Sequence, residues 1–464
     1  MNESQGIRYL WKGMPDRALD PRSLTVTGLL LTAVVFVASA AAPQLLSAED
    51  RHVRSSEDDA LPDWFPANTR SLEVIEGAVL LHEPHSKSKL RGSLLRETRV
   101  PASGQTVAAD EASDCGYYLE IRSNAWICGR KLRPSDLPPK GNPQPRLSVH
   151  GLVPFRYGKV RKGGAPAWNR SSDVNQTSPT AHYREGFMLA TQGRPGNDVL
   201  RTRDGNFVRE TDLEVFEPSR FQGVELDGTY GITELAWVKE LRASVRPSPI
   251  EPVADRLMHL SRHLIRDAYW PGWVEVEGKE GVVALGSLAR PTVVPPPEEV
   301  EPDEKWIDVD LDSQTLIAYE GPTPVYATTI SSGRRRPDRE TPVGTFRVWA
   351  KFSTTKMDNI GNKNTASDYS ADAVPWVQFF NGSIALHAAY WHNSWGNRMS
   401  HGCINLAPKD ARWIFEWTGP YLPDGWLSVR PGSTDPGTLI RVRESDREPE
   451  PAERRTARQP LRSP

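Results

Sequence analysis

Ser400-His401-Gly402-Cys403-Ile404-Asn405 is the stretch on which the reading of this chain turns, with Ile384-Ala385-Leu386-His387 upstream of it. Cys403 is one of three cysteines in 464 residues, and His387 lies sixteen residues before it. A thiol attacks a carbonyl as its thiolate, so it needs a base or a cation nearby. His387 and His401 are the candidates. The run Ser383 to His387 reads as a strand that pairs with the strand carrying the cysteine and brings an imidazole within hydrogen-bond reach. On an extended strand His401 and Cys403 would share a face, and so close a neighbour reads as an orienting partner. Gly402 removes a side chain beside the nucleophile, so backbone N–H groups there would form an oxyanion hole, worth about 10²–10³ in rate. Residue types alone leave two other readings open. The stretch could be ordinary loop, or His387, His392, His401 and Cys403 could be metal ligands, although spacings of five, nine and two fit no standard zinc pattern.

The rest of the chain sets the compartment. From Ser23 to Ala48 there is no charged residue, and Arg8, Lys12, Arg17 and Arg22 precede that run. A basic flank before an apolar segment is an export pattern. Ala38-Ser39-Ala40 offers a cleavage site, yet the run is long enough to stay as an anchor. Residues 1–48 are therefore read as export signal or membrane anchor, which puts the bulk of the protein in the periplasm or cell envelope. If uncleaved, the segment makes the inner membrane a partner. A formal charge of −2 gives no reason to expect nucleic acid. Forty prolines and 35 glycines argue for many turns rather than long helices.

Residues 49–70 read as a linker. From about 71 to 293 the chain repeats a strand, a tight turn and a second strand that runs to a leucine. The copies are Tyr118 to Leu132, Val199 to Leu213 and Trp273 to Leu288. In each, a large apolar residue (Trp126, Phe207, Val282) precedes the closing leucine by six. Each copy also opens alike, at Val74, Val160 and Val238, with a proline a few residues on. Alternating apolar residues around Gly, Asn or Asp signal a hairpin. The pattern resembles bacterial SH3-like domains, small β-barrels, at 71–138, 150–217 and 235–293. The third copy is the loosest, because Val253 to Arg266 reads as helix-like. Residues 294–303 are a Pro/Glu-rich linker. Residues 304–443 open on the alternating strand Trp306 to Leu311, and 444–464 read as a disordered tail. Cys115 and Cys128 flank the first hairpin, where an exported protein could bridge them. A hairpin centred near Ser123 and Asn124 would put Leu119 opposite Cys128, so a bridge and two buried thiols both stay open.

The histidine and the Ser-His-Gly-Cys run together resemble the signature of the L,D-transpeptidase (YkuD) family. Gln314-Thr315-Leu316, Ser331-Ser332-Gly333 and Thr341-Pro342-Val343-Gly344-Thr345-Phe346 resemble the elements that open that catalytic domain. The resemblance implies a mainly β chain, with a β-sandwich catalytic domain that holds its cysteine in a cleft. Carried over, Cys403 is the nucleophile and His387 the general base. His401 and Ser400 line the site, Gly402 and Cys403 offer oxyanion N–H groups, Arg398 holds a carboxylate of the donor stem, and Asn405 makes structural hydrogen bonds. Two departures stand out. The gap from His387 to Ser400 is short, and Ala388 replaces the usual glycine or serine, although its carbonyl can still orient the histidine.

The implied donor is a peptidoglycan tetrapeptide stem. Its D-alanine leaves, and the thioester passes to another stem (a 3→3 cross-link), to a wall-tethered protein or to water. No metal or organic cofactor is implied. The alternative is an envelope-binding scaffold with weak or L,D-carboxypeptidase activity. Tyr390, Trp391, His392 and Trp395 are either a wall over the donor or simple packing, and the arginines from Arg334 to Arg339 read as a solvated loop.

Overall fold

The computed structural model describes residues 65–445, apart from 103, 112, 148–150, 197, 227–233 and 360–368. The apolar segment before Ala48, most of the 49–70 linker and the tail after 445 lie outside the described residues. All described residues fall in one compact unit, Glu57–Pro464. Among the described residues, one α-helix, Pro408–Trp417, and a few 3-10 turns interrupt what is otherwise strand and loop, so the fold is mainly β, as expected.

The three repeated hairpins are built alike. Tyr117–Arg122 pairs with Ala125–Cys128, Val199–Thr202 with Phe207–Arg209, and Trp273–Val276 with Val282–Ala284. Their turns need a left-handed residue, which Asn124 (φ 55), Gly205 (φ 95) and Gly278 (φ 71) provide. Each hairpin then passes through a single 3-10 turn, Gly129–Lys131, Glu210–Asp212 or Leu285–Ser287. The strand that follows pairs with the strand that opened the module. The register partners are Val74↔Leu132, Val160↔Leu213 and Val238↔Leu288. The opening valine and the closing leucine of the sequence repeat thus face each other in every copy, and all six are buried.

Two expectations need correction here. Residues 253–266 are not helical: Asp255–Met258 and Arg262–Asp267 are strands, paired with Arg242–Arg246 and Leu235–Val238. Leu257, Leu260, Leu264 and Ile265 mimic a helical spacing, but pairing with Arg242–Arg246 and Leu235–Val238 decides the conformation. Cys115 and Cys128 are bridged, with Cα atoms 5.1 Å apart. Tyr118, not Leu119, is the register partner of Cys128, because a bulge between Glu120 and Arg122 shifts the hairpin. Cys115 reaches the bridge from the turn before the strand. Closing a loop of 13 residues stabilises the module by about 3 kcal/mol on the chain-entropy account.

Beyond residue 304 two sheets face each other across a shared core. One has Lys305–Asp310 near its centre, paired antiparallel with Thr315–Glu320 and parallel with Leu439–Arg443. Both faces of Lys305–Asp310 are buried, including Asp308 and Asp310. Their register partners are Arg441 and Arg443, and the ion pairs measure 2.7 to 3.0 Å. Buried carboxylates persist only when paired in this way.

The second sheet runs from Trp426–Val429 through Ala350–Asp358 and Ser370–Asn381 to Ile384–Ala388 and Ile404–Leu406. The modules before residue 304, together an arm, extend it at two places. The strand Leu90–Leu94 of the first module adds beside Trp426–Val429, and Met188 of the second bridges Ala371. The helix Pro408–Trp417 packs Ile414 and Phe415 into the core between the sheets. Lys351, fully buried, donates from Nζ to the carbonyls of Phe415 (2.6 Å) and Thr418 (2.8 Å) at its C-terminal end.

Candidate active site

The strand Ile384–Ala388 lies between an antiparallel and a parallel neighbour. The parallel ladder sets Leu386 against Ile404 and His387 against Asn405. Cys403 therefore enters the sheet one residue before the partner of Leu386. Its Sγ lies 3.9 Å from the Ser383 carbonyl oxygen and also takes a backbone N–H from Ala385. His387 is 3 % exposed. Its Nδ1 is 3.0 Å from the Ala388 carbonyl oxygen, so Nδ1 carries the proton and Nε2 is the basic nitrogen.

Burial sets the charge state. Desolvation pushes the Cys403 thiol up to about 11, and the Ala385 N–H only partly offsets it. Desolvation pulls His387 down to about 4, against the raising effect of the Ala388 carbonyl. Thiol and imidazole are thus both neutral across the physiological range.

The cysteine turn is braced from inside its own domain. Thr341 Oγ1 accepts the Gly333 N–H at 2.8 Å and donates to the Gly402 carbonyl oxygen at 2.8 Å. Gly402 sits at φ +117, and a Cβ there would approach the Glu340 carbonyl oxygen to 3.3 Å. Ser400 Oγ accepts the Gly402 N–H at 3.1 Å and donates to the Cys403 carbonyl oxygen. Gln314 holds Ser332 by two bonds, 2.7 and 2.9 Å, and Ser331 exchanges backbone bonds with Asn405.

Three expected roles change. Residues 401–403 form a bend, and the strand begins at Ile404, so alternation does not put His401 and Cys403 on one face. His401 is exposed and stacks on Tyr369, with ring centroids 5.1 Å apart. The Gly402 N–H is occupied by Ser400 Oγ and is not an open oxyanion donor. Arg398 donates to the carbonyls of Leu311 (2.7 Å) and Gly333 (3.4 Å) and pairs with Asp312 at 3.6 Å, so its guanidinium holds loops together. Among the described residues no group of three or more His, Cys, Asp or Glu is arranged to hold a metal.

The family model for YkuD, the L,D-transpeptidase catalytic domain, matches residues 304–442. That segment is a YkuD domain. Over 93 residues the chain is 38% identical to L,D-transpeptidase 1 of Mycobacterium tuberculosis (strain ATCC 25618 / H37Rv), which covers 19% of this chain and 37% of that protein. The chain thus matches well under half the length of that relative. The solution structure of the catalytic domain from the E. faecium L,D-transpeptidase is 24% identical, covers 30% of this chain and 98% of that one, and has a TM-score of 0.24. An L,D-transpeptidase from Mycobacterium smegmatis is 20% identical, covers 50% and 89%, and has a TM-score of 0.24.

Around the YkuD domain, the segment after His387 is held by residues that sequence reasoning missed. Tyr390 stacks on Tyr157 of the second module at 3.6 Å. Ser219, between the second and third modules, donates from Oγ to Asn393 Oδ1 and accepts Trp395 Nε1–H at 3.0 Å. Asn397 Nδ2 donates to the Lys239 carbonyl oxygen at 3.0 Å, and His259 Nε2 reaches the Asn393 carbonyl oxygen at 2.8 Å. Tyr390 and Trp395 are fully buried, so this aromatic run is packed against the arm. No local signal in the sequence marks Ser219 or His259; the residues they hold in this segment are more than 130 positions away.

Proposed function

We propose that the protein is an exported cysteine L,D-transpeptidase that acts on peptidoglycan tetrapeptide stems in the cell envelope. The observation that carries this reading is the coincidence of the YkuD match with His387 on one strand of a sheet and Cys403 immediately before the neighbouring strand. As Cys403 Sγ attacks the carbonyl of the third stem residue, its proton passes to His387 Nε2. The S–C bond forms, and the resulting oxyanion faces the Cys403 N–H. His387 returns the proton to the nitrogen of D-alanine as that C–N bond breaks. An acceptor amine then gives a proton to His387, attacks the thioester and expels the thiolate, which His387 reprotonates. A 3→3 cross-link follows when the amine belongs to a second stem, and protein attachment when it is a protein lysine. Ser400 and Asn405 hold the turn, His401 and Tyr369 edge it, and Arg398 positions rather than binds.

The three modules read as SH3-like domains, and residues 1–48 as the signal or inner-membrane anchor that delivers the protein. Mass spectrometry after exposure to a carbapenem tests the chemistry. One covalent adduct is expected on the wild type and none on Cys403→Ala; an unmodified wild type would refute it. Incubation with purified tetrapeptide muropeptides then reads the acceptor, since linked dimers mean transpeptidation and tripeptide alone means carboxypeptidase action.

A further inference from the structure

His392 plays no part in the reaction above, yet it is the second imidazole at the site. Its ring is partly buried, and desolvation followed by the proximity of His387 pulls it down to about 4, so it is neutral. A neutral imidazole carries one N–H. The backbone N–H of Ser394 points at Nδ1 from 3.2 Å, so Nδ1 must offer a lone pair. The proton is therefore on Nε2. That nitrogen lies 3.0 Å from the carboxamide of Asn405, which is 2 % exposed. With the amide nitrogen toward His392, two N–H groups would oppose each other and the buried Asn405 Oδ1 would have no partner. Turning the amide ends the opposition of the two donors and lets Oδ1 accept the Nε2–H, with Nδ2 taking the position that Oδ1 held.

Asn405 is also the register partner of His387 in the parallel ladder, and residues opposite each other in a sheet project from the same face. The amide that His392 fixes thus stands beside the base. His392 is itself held through Ser394 and Trp395, whose ring lies 4.5 Å from the imidazole, and Trp395 is tied to Ser219.

We infer that His392 is a positioning residue for acyl transfer, in its Nε2–H form, and that it acts by orienting the Asn405 carboxamide next to His387. The inference rests on the proposed function only for its kinetic consequence. The tautomer is tested on the wild-type protein with ¹⁵N-labelled histidine, using the long-range couplings of the ten imidazoles, with His392 assigned by its loss in His392→Phe. The Nε2–H form is expected, and the Nδ1–H form would overturn the inference. In the same variants, His392→Phe should lower the carbapenem acylation rate by about tenfold, and His392→Gln, whose amide N–H replaces Nε2–H, should recover most of it. An unchanged rate in His392→Phe, or a loss that Gln does not repair, would also overturn it. If wild-type Cys403 takes no carbapenem, the proposed function falls, while the tautomer still decides this point.

Discussion

The two halves of the site are held in different ways. The Cys403 turn is braced within the catalytic domain by Thr341, Ser400 and the Ser331–Gly333 stretch, through short bonds to main-chain atoms. The segment after His387, from Tyr390 to Asn397, is braced by the arm, through Tyr157, Ser219, Lys239 and His259. Cys403 is therefore placed by its own fold, whereas the segment after His387 depends on residues of the preceding modules. The difference teaches that the arm is part of how the site is shaped.

The largest expected effect removes the chemistry itself. Cys403→Ala should lower the rate of D-alanine release by about 10³-fold or more while leaving the melting temperature near that of the wild type. A variant that keeps even a tenth of the activity would show that the thiol is not the nucleophile.

Next comes the internal brace. Thr341→Val keeps the shape but strands the Gly333 N–H and the Gly402 carbonyl in a buried place. Leaving such groups unpaired costs about 1–3 kcal/mol, so denaturant unfolding should show a loss of that size. Acylation should slow at least tenfold if the turn drifts.

The arm's grip should matter less. Ser219→Ala removes bonds to Asn393, Trp395 and the Phe221 N–H. We expect roughly 1–2 kcal/mol of destabilisation and a few-fold slower acylation. Hydrogen exchange should quicken in residues 390–397 and stay unchanged at 400–405. Equal changes in both segments would erase the comparison drawn above.

The smallest effect is a flat line. Between about pH 5 and 9 both groups keep their protons as they are, because His387 gains one only toward about 4 and Cys403 loses one only toward about 11. Below that window His387 is protonated and carbapenem acylation, followed against pH, should slow. Iodoacetamide reacts with the thiolate alone, so its alkylation of Cys403 should instead rise about tenfold per pH unit toward about 11. An alkylation rate that levels off near neutrality would mean that a preformed thiolate–imidazolium pair exists.

Much of this was legible in the chain because it depends on local rules. A hairpin needs a left-handed residue at its tip, so Asn124, Gly205 and Gly278 announced theirs. The Ser-His-Gly-Cys run and the Thr-Pro-Val-Gly-Thr element pointed to one domain. Misreadings arose where a local pattern met a stronger constraint. The apolar spacing in 257–265 suggested a helix until two neighbouring strands claimed it. His401 was expected beside Cys403 because a strand was assumed there, whereas Gly402 at φ +117 bends the chain. Arg398 was read by its charge, yet main-chain carbonyls and Asp312 surround it.

By itself, the sequence determined the repeat, the mainly β character and the motif that sets Cys403 and His387 in one catalytic domain, because each follows from residues close together or from a compact motif. Only the tertiary structure decided that Cys403 and His387 rest neutral, since burial rather than composition sets that state. It alone showed the Cys115–Cys128 bridge to be closed, through a bulge that no spacing rule could reveal. It alone brought Ser219 to Trp395 across 176 residues, a contact that exists only once distant parts of the chain pack on one another.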